Sequence, residues 1–572
     1  MSIGGDEAPD HALVFSIYTL GKCINSGDLV PVEPAARSDR ILSHRVTFWI
    51  VVLIAFGLRL GYALNTNLIG TDSEYFLWMA EDWAAGNVDT AIYNPIGYHP
   101  LYPILILQGT YLGLSSISSA FLVSVVLSSL VVFPVYALVR DIWNQRVALL
   151  TVFLYAVSPR FVSVGSDTMT DGPFLFFFVA STTLLWLAFR RHQPFLGAVA
   201  GVLATAAYLT RVEGIYLTVC FTLLAMLAGT FFAIRGNRSS ATAIALVVMV
   251  FLPTHVVTSL PYLWKIHELS GHWHFTMKGS MPGARVPMKQ SPPESQSQIS
   301  RDKEASGNPG RIRRIAALKE NYGVFLGSTG SFLRYAIRGG DYLHLPLVVF
   351  GLLLMCLSPR RRSGTHAVGA IFCLFWTCVF WSSIYLTLLM GRNDSDIRYY
   401  LPGWLFLFPW GAVGMNSIMQ TLSNLRLRKL GAAGAIALVV CLTGIGLFKF
   451  KEPIRYKQAL VLQAGEKIQS MVPEGQTPRV LVTRLKFAFY TGTRDYSKLR
   501  GSYEEVLREA RTDQIPFLIG YKKDFMFEDP EWTDKVSPDA LTLLDLPNPD
   551  PDRIMDVLAY RVKGVPISGL DK

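Results

Sequence analysis

Long apolar stretches separated by short polar segments dominate the first 450 residues of the chain. A helix needs about 20 mostly apolar residues to cross the hydrocarbon core of a bilayer. Eleven stretches qualify, and they run near residues 46–64, 117–139, 147–165, 173–189, 194–210, 214–234, 241–264, 343–358, 366–390, 399–419 and 430–448. The pattern predicts a polytopic α-helical membrane protein with about eleven transmembrane helices.

One further apolar segment, 101–114, is short and is interrupted by Pro103 and Gly109. We interpret it as a re-entrant or interfacial helix, because the charges of the loops separate cleanly only if it does not cross. The loops then fall alternately on the two sides of the membrane. Five loops on one side hold twelve basic residues and one acidic residue, and the short loops on the other side hold four basic and ten acidic residues. Lys and Arg in short loops stay cytoplasmic, so the N-terminus is predicted to be cytoplasmic. The acidic loops are predicted to lie on the external side of the cell (inner) membrane.

Composition agrees with this class: 51% of the residues are hydrophobic, 17% are charged, and the mean hydropathy is +0.33. The net charge of +11 does not indicate nucleic acid, because residues 451–572 hold 19 basic and 19 acidic residues. The excess belongs to the membrane part, where lipid headgroups are the natural partner. Five of the six cysteines lie in apolar stretches, so neither a disulfide framework nor a zinc site is indicated.

The segments outside the predicted helices differ in kind. Residues 1–45 are predicted to be a cytoplasmic segment without a cleavable signal peptide, followed by a transmembrane domain over 46–450. Its first external loop covers 65–100, and a long external loop with a low-complexity polar middle covers 265–342. Residues 451–572 alternate helical patterns with β-branched runs such as "RVLVTR" and "PFLIGY", which predicts a small extracytoplasmic α/β domain.

The predicted topology brings charged residues from distant parts of the chain to the external side. They are Asp72, Glu74 and His99 in the first loop, Asp171 in the second, Arg211 and Glu213 in the third, and Asp396 and Arg398 in the last. Charged groups at membrane depth are costly and commonly mark a substrate path or a polar site. A polar loop would explain any one of these residues, but the set favours an external cavity.

Residues 73–86 interleave aromatic and acidic side chains at helical spacing, which predicts a helix in the headgroup plane. It could anchor the loop as part of an aromatic belt or line a groove for a lipid substrate. In either case Asp72 lies near its N-terminus, where the helix dipole favours the ionised carboxylate. Such a group can accept a proton from a hydroxyl, as a general base does.

Several short motifs carry a resemblance to a known family. They are Arg59 near the outer end of the first helix, then "TDSEYF", "GYHPLYPIL", "TMTDGPFLFFF", "LTRVEGIYL" and "DSDIRYYLPGW". With the topology and the α/β tail, these resemble the GT-C membrane glycosyltransferases. The closest resemblance is to the bacterial branch of the protein O-mannosyltransferase superfamily (glycosyltransferase family 39), which includes lipid A aminoarabinose transferases. The family's acidic pair is often adjacent, whereas Ser73 separates the two residues here, and its histidine motif often reads H-P-P-L rather than His99-Pro100-Leu101.

The resemblance implies transfer of a sugar from a polyprenyl-phosphate donor to a hydroxyl acceptor on a protein, lipid or glycan, with inversion at the anomeric carbon. The catalytic residues would be Asp72, as the general base, and Glu74. The substrate-binding residues would be Arg59, His99, Asp171, Arg211, Glu213, Asp396, Arg398 and Tyr399. Guanidinium groups of Arg211 and Arg398 would bind phosphate oxygens, and Asp171 and Glu213 would orient them.

Two alternatives stay open at this stage. Asp72 and Glu74 could bind a divalent metal, but two carboxylates make an incomplete site, so no cofactor and no metal ligand is assigned. The chain could also be a transporter or flippase of a lipid-linked or polar substrate. A transporter predicts charges at the centres of helices and paired, interrupted helices in two halves, and the sequence has few of either.

The topology can be tested with reporter fusions. Fusions at Arg140, Arg191, Arg361 and Arg428 are expected to report the cytoplasm, and a fusion at Lys572 the external side, because of the charge separation of the loops. A cytoplasmic C-terminus would contradict the eleven-helix arrangement and move the proposed site to the wrong side.

Overall fold

The computed structural model describes residues 37–277, 327–340, 344–357, 365–390, 396–424, 458–546 and 554–567, apart from residues 67 and 95, and also residues 325, 444, 455 and 552. The chain divides into two compact units. The first contains Met1–Ala63, Met79–Pro282 and Pro292–Lys451, and the second contains Leu64–Trp78, Gly283–Ser291 and Glu452–Lys572.

Helices make up nearly all of the described part of the first unit. They are α1 (Arg37–Leu64), α2 (Ser73–Ala84, which begins in the second unit), α3 (Val88–Ile92), α4 (Leu101–Tyr111), α5 (Ser116–Leu130), α6 (Val132–Ile142), α7 (Gln145–Val157), α8 (Pro159–Gly165), α9 (Asp171–Arg191), α10 (Pro194–Thr210), α11 (Ile215–Ile234), α12 (Arg238–Ser270), α13 (Gly327–Gly339), α14 (His344–Leu357), α15 (Thr365–Leu389) and α16 (Leu401–Asn424). Short 3₁₀ turns at Val212–Gly214 and Ile397–Tyr400 precede α11 and α16.

Six described helices are long and apolar enough to cross a membrane, or up to eight if each of two bent pairs is one span. This agrees with a multi-pass helical membrane protein, but it does not establish the predicted count of eleven. α10 has only 17 residues, and the stretch predicted at 430–448 lies outside the described residues apart from Gly444. Segment 101–114 forms the 11-residue helix α4, which at 1.5 Å per residue is too short to cross.

The predicted span 147–165 is bent by 63° between α7 and α8. Pro159 is the first residue of α8 and lacks an amide hydrogen, so it cannot continue the hydrogen bonding of α7. The break puts α8 at an angle within the unit, and Phe161, Val164 and Gly165 of α8 line the cavity described below.

Close packing of α10 against α12 depends on small residues. A Cβ atom at Gly201 would lie 2.8 Å from the backbone oxygen of Phe251, so only glycine allows this approach. The Thr205 hydroxyl lies 3.0 Å from Nδ1 of His255 in the same contact, which gives the buried polar groups partners. Small residues and interhelical hydrogen bonds of this kind are typical of helix packing in membranes.

The second unit contains a five-stranded sheet in the order β2-β1-β3-β5-β4. The strands are β1 (Val480–Val482), β2 (Tyr496–Lys498), β3 (Phe517–Tyr521), β4 (Leu541–Leu543) and β5 (Val557–Val562). β1 is parallel to β2 and β3, with Leu481 opposite Leu518, and β5 is antiparallel to β3 and β4. The helices are α17 (Leu460–Ser470), α18 (Leu485–Tyr490), α19 (Tyr503–Thr512), α20 (Lys522–Glu528) and α21 (Trp532–Lys535).

The apolar runs in "RVLVTR" and "PFLIGY" form β1 and β3, and all their strand residues are buried. Their neighbours in the core include Val506 and Ala510 of α19 and the fully buried Trp532. The sequence analysis did not identify β2 and β4, which have only three residues each and no clear alternation. It also did not anticipate that residues 64–78 belong to this unit.

Candidate active site

A cavity of about 580 Å³ lies among the helices of the first unit. Its charged and polar lining comes from Asp171, Arg211, Glu213, Arg398 and Tyr399. These residues are far apart in sequence, and the fold brings them together at the ends of helices. All five are among the substrate-binding residues predicted from the sequence.

Arg211 is at the centre of this group. Its Nη1 lies 2.9 Å from Oδ1 of Asp171, and its Nη2 and Nε lie 2.9 Å and 3.3 Å from the two carboxylate oxygens of Glu213. Burial disfavours the charged guanidinium, but Glu213 and Asp171 outweigh it and raise the pKa of Arg211 further above its usual range. Arg211 is therefore a fixed cation with a defined orientation.

Local structure explains how these three side chains meet. α10 ends at Thr210, so Arg211 adopts an extended backbone conformation and turns away from the helix axis. Asp171 is the first residue of α9, where a carboxylate is favoured by the helix dipole. Glu213 lies in the 3₁₀ turn that follows Arg211 and forms the bidentate pair with it.

Arg398, more than 200 residues after Asp171 in the sequence, lies close to the same Asp171 carboxylate. Its Nη1 lies 3.9 Å from Oδ2 of Asp171, and its Nε lies 3.6 Å from Oδ2 of Asp396. Asp396 also caps the 3₁₀ turn by accepting the backbone N–H of Arg398 at 3.2 Å. The ring of Tyr399 lies 5.2 Å from the Arg398 guanidinium and 5.4 Å from that of Arg211, so it contacts both cations.

The rest of the cavity is mostly apolar. Aromatic and aliphatic side chains from α8, α9, α11, α15 and the start of α16 form its walls, and a few hydroxyls interrupt them. These lining residues are Phe161, Val164, Phe174, Leu175, Tyr216, Phe380, Ile384, Leu388 and Leu401, with Ser128, Tyr155, Ser383 and Thr387. The sequence analysis named none of them, because an apolar lining residue has the same pattern as an ordinary core residue.

Arg59 lies behind this lining. It is fully buried, its guanidinium lies 4.6 Å from the ring centre of Tyr155, and its Nη1 donates to the carbonyls of Ala55 and Ala156 at 3.0 and 3.4 Å. A Cβ atom at Gly165 would lie 2.6 Å from Oγ of Ser128 and 3.0 Å from Nε of Arg59, so a larger residue there would displace Ser128. Arg59 therefore adjoins two lining residues, Tyr155 and Gly165, without lining the cavity itself.

His99 is in a different place. Its Nε2 lies 3.3 Å from the hydroxyl of Thr276, and its ring contacts the rings of Tyr208 at 5.0 Å and Tyr262 at 5.3 Å. It is not among the residues that line the cavity. The geometry thus brings together seven of the ten predicted residues around the cavity, namely Arg59, Asp171, Arg211, Glu213, Asp396, Arg398 and Tyr399, and leaves His99 in a separate aromatic cluster.

The predicted acidic pair belongs to the second unit. Asp72 immediately precedes α2 and is partly exposed, whereas Glu74 is in the first turn of α2 and is only 2% exposed. Burial raises the pKa of Glu74 to about 8, with a smaller opposing effect of the Lys486 ammonium and a contribution from Asp72. The two carboxylates, which look equivalent in the sequence, therefore have different environments.

Comparison with known proteins gives two kinds of similarity. Residues 95–257 match the family described as dolichyl-phosphate-mannose-protein mannosyltransferase. This segment contains Asp171, Arg211 and Glu213. No curated protein sequence matches the chain.

Among solved structures, ArnT from Cupriavidus metallidurans in the apo state is similar with a TM-score of 0.50 and 12% identity, covering 92% of this chain and 98% of that one. The archaeal oligosaccharyltransferase AglB from Archaeoglobus fulgidus, in complex with an inhibitory peptide and a dolichol-phosphate, has a TM-score of 0.50 and 14% identity. That match covers 84% of this chain and 70% of AglB. At such low identities these structures show a common fold.

The family match and the shared fold both agree with the expected resemblance. Over residues 95–257 and in its fold, the chain is similar to the GT-C, protein O-mannosyltransferase-like membrane glycosyltransferases.

Proposed function

We propose that this protein transfers a sugar from a polyprenyl-phosphate donor to a hydroxyl acceptor on the external face of the membrane, with inversion at the anomeric carbon. The observation that supports this most is the two-part character of the cavity. One part carries two guanidinium groups around Tyr399, and the other is apolar. A polyprenyl phosphate likewise has an anionic phosphate, which suits the guanidinium groups, and a hydrocarbon chain, which suits the apolar part.

The phosphate of the donor is assigned to Arg398 and Arg211. A planar guanidinium can bind two phosphate oxygens at once, and it stays charged in a low-dielectric site. The ion pairs of Arg398 with Asp171 and Asp396, at 3.9 and 3.6 Å, are longer than those of Arg211. We therefore assign the main phosphate contact to Arg398, with Arg211 fixing the position of Asp171 and adding positive charge.

The prenyl chain is assigned to the apolar walls. Phe174 and Phe380 lie 6.3 Å apart between ring centres, and Leu388 and Ile384 extend the same lining along α15. Burial of hydrocarbon against such walls provides about 25 cal/mol for each Å² of apolar surface. The bound dolichol-phosphate of AglB, a protein of the same fold, supports a lipid phosphate as the ligand class.

Asp72 is assigned as the general base that removes the proton of the acceptor hydroxyl. Asp72 immediately precedes α2, so its side chain lies at the positive, N-terminal end of the helix dipole. The hydroxyl oxygen then attacks the anomeric carbon, and the bond between that carbon and the phosphate oxygen breaks. A single displacement of this kind inverts the configuration, and polyprenyl phosphate leaves.

A divalent metal does not fit the acidic pair well. Magnesium and calcium need several oxygen ligands in their coordination shells. The described residues contain no group of three or more His, Cys, Asp or Glu side chains suited to a metal. Lys486 adds a positive charge close to Glu74, and burial keeps this carboxyl partly protonated near neutral pH. The proposal therefore assigns no metal ligand to Asp72 or Glu74.

Asp72→Asn tests the base directly. The amide preserves the size of the side chain but accepts no proton, so transfer is expected to fall by at least ~10²-fold with normal expression. The assay compares lipid-linked sugars and surface glycans by mass spectrometry in cells with the wild type, with each variant and without the chain. Asp89→Asn is the matched control, because Asp89 is an exposed carboxylate of the same loop that pairs with Lys265 at 2.7 Å. Near-normal transfer by Asp72→Asn would contradict the assignment.

Arg398→Lys tests the phosphate contact. Lysine keeps the charge but loses the fork of two parallel donors, so the KM for the lipid donor is expected to rise about 10-fold. Arg190→Lys is the control, because Arg190 also pairs with an aspartate, Asp141, at 3.6 Å but does not line the cavity. If both Arg398→Lys and Arg211→Lys left the KM for the lipid donor unchanged, the assignment of the phosphate to these two residues would be refuted.

Glu74→Gln tests the buried carboxyl through the dependence of stability on pH. The folded chain holds the proton of Glu74 up to a pKa of about 8, whereas the ordinary pKa of a glutamate is 4.5. The folded state therefore binds more protons in this window, and wild-type stability falls as the pH rises from about 4.5 to about 8. The glutamine does not titrate, so its stability relative to wild type should increase from about pH 5 to about pH 8, on the order of 3 kcal/mol. Thermal unfolding in detergent measures this, and parallel pH curves would mean that Glu74 is ionised throughout.

A further inference from the structure

The segment that carries Asp72 belongs to the same compact unit as the C-terminal sheet. We call residues 64–78 the loop-1 segment, and residues 483–496, which connect β1 to β2 through α18, the crossover. The contacts between them are all within this unit. They involve Ile69 and Glu74 in the middle of the loop-1 segment and Trp78 at its end.

A hydrogen bond holds the chain just before Asp72. The backbone N–H of the fully buried Ile69 donates to the phenolic oxygen of Tyr490 at 2.9 Å. Burial raises the pKa of Tyr490 to about 12, so its hydroxyl remains neutral. Tyr490 is the last residue of α18, whose position is fixed because β1 immediately precedes it.

A charge interaction holds the chain just after Asp72. Lys486, at the start of α18, is only 4% exposed and stabilises the ionised form of Glu74, which is 2% exposed. The Lys486 ammonium also donates to Oε1 of Gln458 at 2.7 Å, so its position is defined from a second side.

Aromatic contacts hold the far end of the segment. The Trp78 ring stacks on Tyr496 at 6.1 Å with 22° between the ring planes, and it contacts Phe489 at 6.2 Å. The Arg494 guanidinium lies 5.7 Å from the centre of the Trp78 ring and donates to the Trp78 carbonyl at 3.1 Å. Asp72 thus lies between anchors three residues before it and two and six residues after it.

We propose that the C-terminal unit is a positioning element for catalysis, which uses Tyr490, Lys486 and Arg494 of the crossover to hold the backbone around Asp72. This inference rests on the proposed function, because it takes Asp72 as the base. It assigns Glu74 a role different from that of a second catalytic acid. Glu74 is a positioning residue that acts through Lys486.

A positioned base affects the rate of the chemical step more than the binding of the donor. Loss of an anchor should therefore lower kcat and leave the KM for the lipid donor unchanged, in contrast to Arg398→Lys. Misplacement of a reacting group by a fraction of its contact distance is sufficient to lower the rate greatly.

The test uses the full-length protein in lipid nanodiscs and two readouts. Hydrogen–deuterium exchange of peptides from the loop-1 segment reports the anchoring, and single-turnover transfer from the donor identified by mass spectrometry reports positioning. In Tyr490→Phe, the Ile69 amide loses its acceptor, and its exchange should rise about 2- to 10-fold, as expected for one hydrogen bond. The single-turnover rate should fall with unchanged donor affinity.

Tyr503→Phe is the matched control. The Tyr503 hydroxyl likewise accepts a backbone N–H, that of Ser537 at 3.3 Å, in the same unit but without a contact to the loop-1 segment among the described ones. It is expected to change neither loop-1 exchange nor transfer. If Tyr503→Phe had the same effect as Tyr490→Phe, general destabilisation of the unit would explain both, and the proposal would be overturned.

A double-mutant cycle tests the role of Glu74. Lys486→Met and Glu74→Gln each remove one partner of the interaction between these two side chains, so their effects on loop-1 exchange and on rate should be less than additive when combined. Fully additive effects would refute the pairing. Faster exchange without a slower single-turnover rate would refute positioning. If the wild type transfers no lipid-linked sugar at all, the proposed function fails, and exchange still decides whether the crossover anchors the segment.

Discussion

The ion pairs of Arg211 organise the cavity of the first unit. Its guanidinium joins the first residue of α9, Asp171, to the turn after α10 through Glu213. Asp171 is shared with Arg398, in the 3₁₀ turn that precedes α16. In an apolar environment a single unpaired charge would be very costly, so the three helix ends must come together for any of these residues to be buried. The charged part of the cavity forms where these helix ends meet around Arg211.

The sequence was sufficient for the parts of the site that carry charge. Arg211 and Glu213 stand almost without a loop between two apolar stretches, and Asp396 and Arg398 precede another, so hydropathy alone identified them. The apolar wall formed by residues such as Phe174 and Phe380 could not be identified, because burial in a core and contact with a lipid produce the same pattern. His99 shows the limit of motif similarity, since its neighbours in space are Tyr208, Tyr262 and Thr276.

The fold was predictable in the same uneven way. Apolar length identified most helices, and buried β-branched runs identified β1 and β3, but the three-residue strands β2 and β4 gave no signal. Asp72 and Glu74 look like a pair in the sequence because nothing there distinguishes them. Only the position of Lys486, more than 400 residues away, and the burial of one carboxyl separate their environments. Such a difference depends on tertiary contacts and has no local pattern.

The charge balance of the cavity limits how it can select a ligand. Arg211 and Arg398 are accompanied by Asp171, Glu213 and Asp396, so the carboxylates of this group outnumber its guanidinium groups. A site of this composition does not attract every anion by excess positive charge. It favours a group that can replace one long ion pair of Arg398 with two parallel hydrogen bonds and bury a hydrocarbon chain at the same time. Free phosphate satisfies only the first condition and a neutral lipid only the second, so the proposed lipid phosphate matches this arrangement better than either.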